Sequence, residues 1–152
     1  MRPIISIIVA MTPQGVIGNK GRLPWPRIPS DMKMFALVTK GKPLIMGRGT
    51  YRSILPKKGE PLPGRRKLVV GSYPSDVRRS NSTAVANPEE ALAFTRFDEE
   101  VCIIGGPKIY EWFLWKITSH LPPYSGRSRR LFSSLPLLYA RSSQASSFPR
   151  FL

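Results

Sequence analysis

Cysteine, histidine and long hydrophobic runs are scarce in this chain of 152 residues. A single cysteine, Cys102, excludes an intramolecular disulfide and is typical of a reducing compartment, so we expect a soluble, cytoplasmic protein. Cys102 lies within an apolar run and is interpreted as a buried thiol. The one histidine, His120, cannot form a metal site with one cysteine, and no metal is expected. Residues 4–11 are apolar, but this run is too short to span a membrane.

Acidic residues are also few, and they are unevenly placed. The chain has 24 lysines and arginines against nine acids, which gives a formal net charge of +15. All nine acids lie between Asp31 and Glu111, so residues 115–152 contain six basic residues and no acid. Such a charge suits an anionic partner, and nucleic-acid binding is an alternative function. It is disfavoured because aromatic residues do not interleave with the basic residues in any recognisable nucleic-acid-binding module.

Short apolar runs alternate with helix-start signals along the chain. Buried strands are predicted at residues 4–10, 43–47, 67–71 and 101–104. Helix starts are predicted at Ser30, Thr50, Asn87 and Pro107. The first helix is expected to continue to about Thr39 and to end before Gly41. This alternation predicts one α/β domain with a mostly parallel, doubly wound sheet.

One acid lies on an otherwise apolar helical face. Asp31, Phe35 and Val38 are spaced i, i+4 and i+7, so they share one side of the first predicted helix. Burying a carboxylate is costly unless it is paired or its pKa rises. One interpretation is that Asp31 only stabilises the first helical turn through the helix dipole. The other is a functional acid, because the nearby Trp25 and Leu23 could form an apolar pocket around it.

Glycine-rich or polar turns follow three of the predicted strands. In chain order, the turns contain Arg48 with Thr50, Gly71 with Ser72, and Gly105 with Gly106. Ligands of open α/β sheets bind at the carboxyl ends of the strands, and helix N-termini attract phosphates. Each turn alone is ordinary, but three at successive strand ends favour a phosphate-rich cofactor. The G-x-G-x-x-G fingerprint of dinucleotide-binding folds is absent.

Several motifs follow one another in a family-specific order. They are Ile8-Val9-Ala10, Gly15-Val16-Ile17-Gly18, Leu23-Pro24-Trp25, Ile28-Pro29-Ser30-Asp31-Met32, Pro43-Leu44-Ile45-Met46-Gly47-Arg48, Pro61-Leu62-Pro63-Gly64-Arg65 and Ile104-Gly105-Gly106. By these motifs the chain resembles the dihydrofolate reductase family over residues 4–114, about three quarters of its length. The resemblance implies reduction of 7,8-dihydrofolate to 5,6,7,8-tetrahydrofolate by hydride transfer from NADPH. We also expect a monomer, and one that binds no membrane because the apolar run at residues 4–11 is short.

The resemblance implies roles for individual residues as well. Asp31 would hydrogen-bond the pterin and promote its protonation, Trp25 would hold a water beside this acid, and Leu23 would belong to a mobile loop over the nicotinamide. Arg65 would bind the carboxylate of the glutamate tail. The other implied substrate-binding residues are Ile8, Val9, Phe35, Ile54 and Leu62. The implied cofactor-binding residues are Ala10, Ile17, Gly18, Gly47, Arg48, Thr50, Ser72, Ile104, Gly105, Gly106, Lys108, Ile109 and Tyr110, with a cis bond between the paired glycines.

The resemblance ends near Leu114. Beyond it the family continues with a strand beside the first strand, a threonine that supports the acid, and a closing hairpin. Residues 115–152 are instead a serine- and arginine-rich tail, with the composition of translation in another reading frame. We therefore expect residues 4–10 to form an exposed apolar edge, in a chain that is poorly folded and weakly active or inactive. Smaller departures are one extra residue at Pro26-Arg27 and a proline, Pro107, after the glycine pair.

Overall fold

The chain forms a mostly parallel sheet flanked by helices, and the computed structural model describes residues 3–12, 16–18, 23, 25–56, 58–71, 77, 81–119 and 137–141. In that part the elements are β1 (Ile4–Ala10), α1 (Pro29–Thr39), β2 (Leu44–Gly47), α2 (Arg48–Ile54), β3 (Lys67–Val70), β4 (Ser82–Val85), α3 (Pro88–Phe94), β5 (Glu100–Ile103), α4 (Pro107–Ser119) and β6 (Leu137–Arg141). The strand order is β4-β3-β2-β5-β1-β6. All neighbouring strands are parallel except β1 and β6. The predicted α/β class is confirmed.

Helices cover both faces of the sheet, because successive side chains of a strand point to opposite sides. Ile8 of β1 belongs to a core cluster that also includes Tyr51 of α2 and contacts Phe35 of α1. Val9, the next residue, belongs to a second cluster with Phe113 of α4. Residues 6–9 are all buried, so the prediction that the first strand is buried on both faces holds for its central part.

Two of the predicted helix starts are confirmed. The Asn87 side chain caps α3 by accepting a hydrogen bond of 2.8 Å from the Glu90 amide, with Pro88 at the first helical position. Pro107 likewise begins α4. Gly41, just after α1, has a φ of +71°, a conformation that glycine adopts without steric cost. The predicted end of the first helix therefore holds too.

The other two predicted helix caps are wrong. α1 begins at Pro29, so Ser30 is already helical and makes no capping hydrogen bond. Proline is favoured at this position because its missing N–H would have no helical partner there. α2 begins at Arg48, directly after β2, and Thr50 lies inside its first turn. The strand thus runs into the helix without an intervening turn.

The expectation that residues 4–10 form an exposed edge is wrong. β6 pairs with β1 in antiparallel register, from Ser6 opposite Arg141 to Ala10 opposite Leu137. Part of the segment 115–152 therefore belongs to the sheet. In addition, α4 continues five residues past Leu114, to Ser119. β1 consequently has a hydrogen-bonded neighbour on each side.

Three further expectations concern the burial of Cys102, membrane spans and metal binding. Cys102 is buried in β5, as predicted. Within the described ranges, no helix is long and apolar enough to cross a membrane. Nor does that part of the chain contain a group of three His, Cys, Asp or Glu residues placed to hold a metal ion. His120 lies outside the described residues.

Candidate active site

Asp31 lies in the first turn of α1 and is only 6% exposed. Phe35 and Val38, on the same side of the helix, pack against the cluster that contains Ile8, so the predicted common face is confirmed. Burial raises the pKa of Asp31 above its ordinary value of 3.8, because desolvation disfavours the charged form. Among the described residues, its buried Oδ1 has no hydrogen-bond partner. A carboxyl group in this state can bind a polar group of a ligand.

Apolar residues from four parts of the fold come together in the same cluster. Phe35 of α1, Ile54 of α2, Leu62 of the following loop and Ile104 after β5 are partly buried and pack against the core around Ile8. Each of these four side chains keeps some exposed surface on which a flat apolar ring could pack. The structure thus brings together most of the residues that the family resemblance implies for the substrate.

Arg65 is held at the C-terminal end of α1 by three hydrogen bonds. Its Nε donates to Thr39 Oγ1 at 2.9 Å, its Nη2 to the Ala36 carbonyl at 3.1 Å, and its Nη1 to the Pro63 carbonyl at 3.1 Å. Thr39 is itself fully buried and donates to the Phe35 carbonyl at 2.7 Å. A guanidinium has five N–H donors, so two remain beyond these bonds within the described part of the chain. This fixed fork is suited to a carboxylate.

A groove of about 540 Å³ lies between α1 and the loop that precedes β3. Its lining includes Lys33 and Lys40 of α1 together with Arg65. Lys33 and Lys40 are exposed, whereas Arg65 is partly buried and fixed. Three cations along one groove favour an anionic ligand at this end of the site.

The carboxyl ends of β2 and β5 meet close to the starts of α2 and α4. The Gly47 amide donates to the Gly105 carbonyl at 2.8 Å. A Cβ atom on Gly106 would lie 3.3 Å from Thr50 Oγ1, and one on Gly47 would lie 3.2 Å from Cγ1 of Ile109. Glycine at these positions therefore lets two strand ends and two helices approach closely. The Gly105–Gly106 peptide bond is cis, as the family resemblance implies.

Two cations lie at this edge of the sheet. Arg48 is the first residue of α2 and Lys108 the second residue of α4, and both are exposed. Helix N-termini carry a partial positive charge and attract phosphate groups. The edge therefore combines close backbone packing with positive charge, which suits a phosphate-bearing ligand. In the second predicted turn, which contains Gly71, Ser72 lies outside the described residues.

Tyr110 connects α4 to the end of β1. It is 6% exposed, and its hydroxyl donates to the Ile8 carbonyl at 2.7 Å. Burial raises the pKa of Tyr110 above its ordinary value, because desolvation disfavours the phenolate. Val9 is 1% exposed and packs in the opposite core with Ile109, so its side chain does not join the group around Asp31.

The remaining predicted site residues lie at the end of β1 and in the loop after it. Ala10 is the last residue of β1 and is half-buried. Ile17 packs against the core cluster that contains Ile109, and Gly18 beside it is exposed. Leu23 is 47% exposed, and Trp25 is half-buried. Both residues lie before α1 and keep exposed surface, and the roles that the resemblance implies for Leu23 and Trp25 stay predictions.

Two residues that support the site were not predicted. Thr39 holds Arg65, and Lys67 contacts the loop that contains Leu62 and Arg65. Thr39 could have been found from its i+4 spacing to Phe35, which places it on the inner side of α1. Lys67 had no comparable signal, because a lysine after two arginines is ordinarily exposed.

The fold and the site together define an α/β protein with a buried acid beside an apolar cluster and a glycine-rich, positively charged strand edge. The family model for dihydrofolate reductase matches residues 4–121, so the chain belongs to the dihydrofolate reductase family. The match extends seven residues beyond Leu114 and so includes the end of α4.

Curated relatives give the same family. The chain is 41% identical over 108 residues to dihydrofolate reductase type 3 of Salmonella typhimurium, a match that covers 70% of this chain and 62% of that protein. It is 44% identical over 106 residues to dihydrofolate reductase of Neisseria gonorrhoeae, with coverage of 70% and 62%. It is 40% identical over 107 residues to the enzyme of Mycobacterium tuberculosis strain H37Rv, with coverage of 70% and 62%. The chain thus spans somewhat less than two thirds of these relatives.

Proposed function

We propose that this chain reduces 7,8-dihydrofolate to 5,6,7,8-tetrahydrofolate with NADPH as the cofactor. The observation that carries the proposal is Asp31, which is buried, has a raised pKa and has a carboxyl oxygen without a partner in the described part of the chain. Asp31 is also the only acid among the described residues that is buried. Its burial beside an apolar cluster supports a role toward a flat, polar-edged ring such as a pterin.

The substrate would be held by three kinds of contact. The Asp31 carboxyl group would bind the polar edge of the pterin, and the partly buried side chains of Phe35, Ile54 and Leu62 would pack against its rings and the benzoyl group. Arg65 would bind the glutamate carboxylate with the two N–H groups left by its protein contacts. The lysines of the neighbouring groove would add a favourable potential for this anion.

The residues at the ends of β2 and β5 fit a dinucleotide with several phosphates. Gly47 and Gly106 let the two strand ends and the starts of α2 and α4 pack closely, and Arg48 and Lys108 supply positive charge at the same edge. Thr50, whose hydroxyl lies near Gly106, can donate a hydrogen bond there. NADPH, when bound, supplies the hydride of the reaction.

The protonation step of the reaction depends on the residues of this chain. Reduction of the imine adds hydride to carbon and a proton to the neighbouring nitrogen, and Asp31 promotes this protonation directly or through water. Because burial raises its pKa, a larger fraction of Asp31 carries a proton near neutral pH than an exposed aspartate would. We therefore expect the rate of reduction to fall as the pH rises above this raised pKa.

Replacement of the acid tests the proposal. We expect Asp31→Asn to lower dihydrofolate turnover at neutral pH by about 10²-fold or more, the usual contribution of a positioned acid, with little change in NADPH affinity. Turnover is measured from NADPH absorbance, and NADPH affinity from fluorescence titration. Asp98→Asn is a matched control, because Asp98 pairs with Arg66 outside this site. Turnover above about a tenth of the parent value, a barrier change below 1.4 kcal/mol, would show that another group assists protonation.

A further inference from the structure

Lys67, the first residue of β3, is a fully buried cation. Its Nζ lies 2.6 Å from Glu60 Oε1, 2.9 Å from the Pro61 carbonyl and 3.5 Å from the Leu62 carbonyl. An ammonium group has three N–H donors, and these three acceptors use all of them. Burial of a charge is tolerated only when it is paired and hydrogen-bonded in this way. All three partners lie in the segment that leads into β3.

The contact between Lys67 and Glu60 therefore closes a loop of residues 60–67. Two of the proposed substrate-binding residues, Leu62 and Arg65, lie in this loop. Leu62 has a φ of +49°, which is uncommon for a residue with a Cβ atom and persists only where the surroundings fix the backbone. Its carbonyl receives the longest Lys67 bond, and its side chain packs against the cluster around Ile8. The backbone at Leu62 is thus fixed from both sides.

Arg65 depends on the same loop. Its Nη1 donates to the Pro63 carbonyl, one residue after the Leu62 carbonyl that Lys67 binds. The other two Arg65 bonds reach Thr39 and Ala36 in α1. A shift of the loop backbone would therefore pull the guanidinium away from α1 or change its direction.

The three consecutive basic residues of this segment have different surroundings. Arg65 binds α1, Arg66 is exposed and pairs with Asp98, and Lys67 is buried beneath its own loop. Because Lys67 has no exposed area, it serves neither solubility nor the positive charge of the surface. Its donors are directed entirely at the segment that carries the substrate-binding residues.

We infer that Lys67 is a positioning residue that sets how tightly this site holds the carboxylate-bearing tail of its substrate, by fixing the loop that presents Leu62 and Arg65. The inference rests on the proposed function, since it takes the ligand of Arg65 to be the glutamate carboxylate of a folate. Lys67 itself has no free donor for the ligand and acts only through the loop.

The ratio of two dissociation constants separates positioning from a general loss of structure. Folate carries the glutamate, whereas pteroic acid amide ends at the benzoyl group in an uncharged carboxamide, so the ratio of the amide's dissociation constant to that of folate reports the glutamate contacts alone. Lys67→Met keeps the length of the side chain and removes the charge and the donors. We expect it to lower this ratio about tenfold, the scale of loss for a displaced binding group, while the dissociation constant of pteroic acid amide stays within about twofold.

Two further variants complete the experiment, which uses the full chain and fluorescence titration. Glu60→Gln keeps Lys67 and removes one charge, so we expect a smaller fall in the ratio; it serves as the test if near-UV circular dichroism shows Lys67→Met to be unfolded. Lys42→Met is the matched control, because the Lys42 pair with Glu100, at 2.9 Å, lies away from the loop. We expect this control to leave the ratio unchanged.

The possible results bear on different parts of the inference. A parent ratio near one would mean that Arg65 does not bind the glutamate, which contradicts the proposed function and the inference with it. A parent ratio well above one that folded Lys67→Met and Glu60→Gln both retain would overturn the inference alone. An equal fall in both ligands' affinities would assign Lys67 a purely structural role.

Discussion

At the scale of a single residue, the burial of Asp31 favours ligand binding and at the same time lowers the stability of the folded chain. Its burial and its oxygen without a partner suit a ligand, but they disfavour the charged form in the folded chain. Because its pKa is higher in the folded than in the unfolded state, the folded state binds this proton more tightly. The ionised Asp31 therefore lowers the free energy of unfolding. This loss of stability is fully present above the raised pKa and disappears as the pH falls toward 3.8.

This linkage predicts how Asp31→Asn changes stability. Asparagine does not titrate, so we expect the variant to have a higher melting temperature than the parent at pH 7. The difference should shrink as the pH is lowered through the raised pKa of Asp31. Thermal unfolding followed by circular dichroism between pH 7 and pH 4 measures it. A difference that stays constant over this range would show that the charge of Asp31 is not the cause.

Arg65 gives a second prediction at this scale. Lysine at this position cannot reproduce the planar fork or the three bonds to Thr39, Ala36 and Pro63. We expect Arg65→Lys to weaken folate binding about tenfold or more, equivalent to at least one charge-assisted hydrogen bond, without changing NADPH affinity. Arg66→Lys is the matched control, since Arg66 is exposed and pairs with Asp98. Equal effects of the two variants on folate would contradict the assigned role of Arg65.

The sequence singled out residues that lie in a family motif, and it did not single out residues whose surroundings arise only from tertiary contacts. Asp31 and Arg65 lie in motifs of the family, and the structure gives both a local environment suited to a ligand. Lys67 shows the limit of sequence reasoning. A lysine beside two arginines indicates a solvated surface. Lys67 is buried because the tertiary structure places the preceding loop over its side chain.

At the scale of elements, the strands that were predicted are those buried on both faces. Residues 4–10 and the strands β2, β3 and β5 are continuous apolar runs, and their bounds differ from prediction by one residue at most. β4, with the sequence Ser82-Thr83-Ala84-Val85, has only one fully buried residue and lies at the edge of the sheet. Its weak apolar pattern explains why it was missed.

β6 could not be predicted for a different reason. Its pairing with β1 joins residues about 130 positions apart in the chain, so no local pattern specifies it. The apolar run before it is interrupted by a proline, which argues against a central strand. A strand at the edge tolerates this neighbourhood, because only one of its sides must be paired.

The pairing of β6 with β1 yields a prediction for this element. Tyr139 lies opposite Ile8, in the middle of the paired region. Consecutive residues of an antiparallel strand direct their N–H groups alternately toward and away from the neighbouring strand. Since proline removes a backbone donor, we expect the more damaging of Tyr139→Pro and Ala140→Pro to destabilise the chain by about 1–3 kcal/mol. Denaturant unfolding measures the change.

Tyr139→Val separates the backbone effect from loss of the side chain. Valine keeps the N–H group and favours strands, so we expect this control to retain most of the parent stability. If the more damaging proline variant and Tyr139→Val had equal effects, backbone pairing of β6 would not be what stabilises β1. Equal stability of all three variants and the parent would restore the original expectation of an open edge.

At the scale of the whole molecule, the sheet divides the protein into two cores, and the proposed site lies where the strands end. Ile8 and Val9 contribute to opposite cores from adjacent positions. The buried acid belongs to the side covered by α1 and α2, and the glycine-rich turns lie at the carboxyl ends of β2 and β5. Sequence alone predicted this arrangement in outline, because alternating strands and helices place strand ends at one edge.

The net charge of the molecule leads to a last prediction. With a formal charge of +15 and cations at Arg48 and Lys108, the chain should favour NADPH over NADH, since the extra phosphate adds about 1.5–2 negative charges. We expect at least about tenfold tighter NADPH binding at low salt, or 1.4 kcal/mol. Salt reduces the distance over which charges interact, the Debye length, from about 10 Å at 0.1 M to about 3 Å at 1 M. The preference for NADPH should therefore decrease as salt is added.

Fluorescence titrations of both cofactors across a salt series test this expectation, with one variant to locate the effect. Arg48→Gln should reduce the preference for NADPH, because it removes a cation at the start of α2. Arg52→Gln removes the same charge from the last turn of that helix and should have the smaller effect. A preference that both variants lower equally would indicate the general field of a +15 molecule rather than a local phosphate contact. Equal affinity for NADPH and NADH at low salt would contradict the cofactor assignment itself.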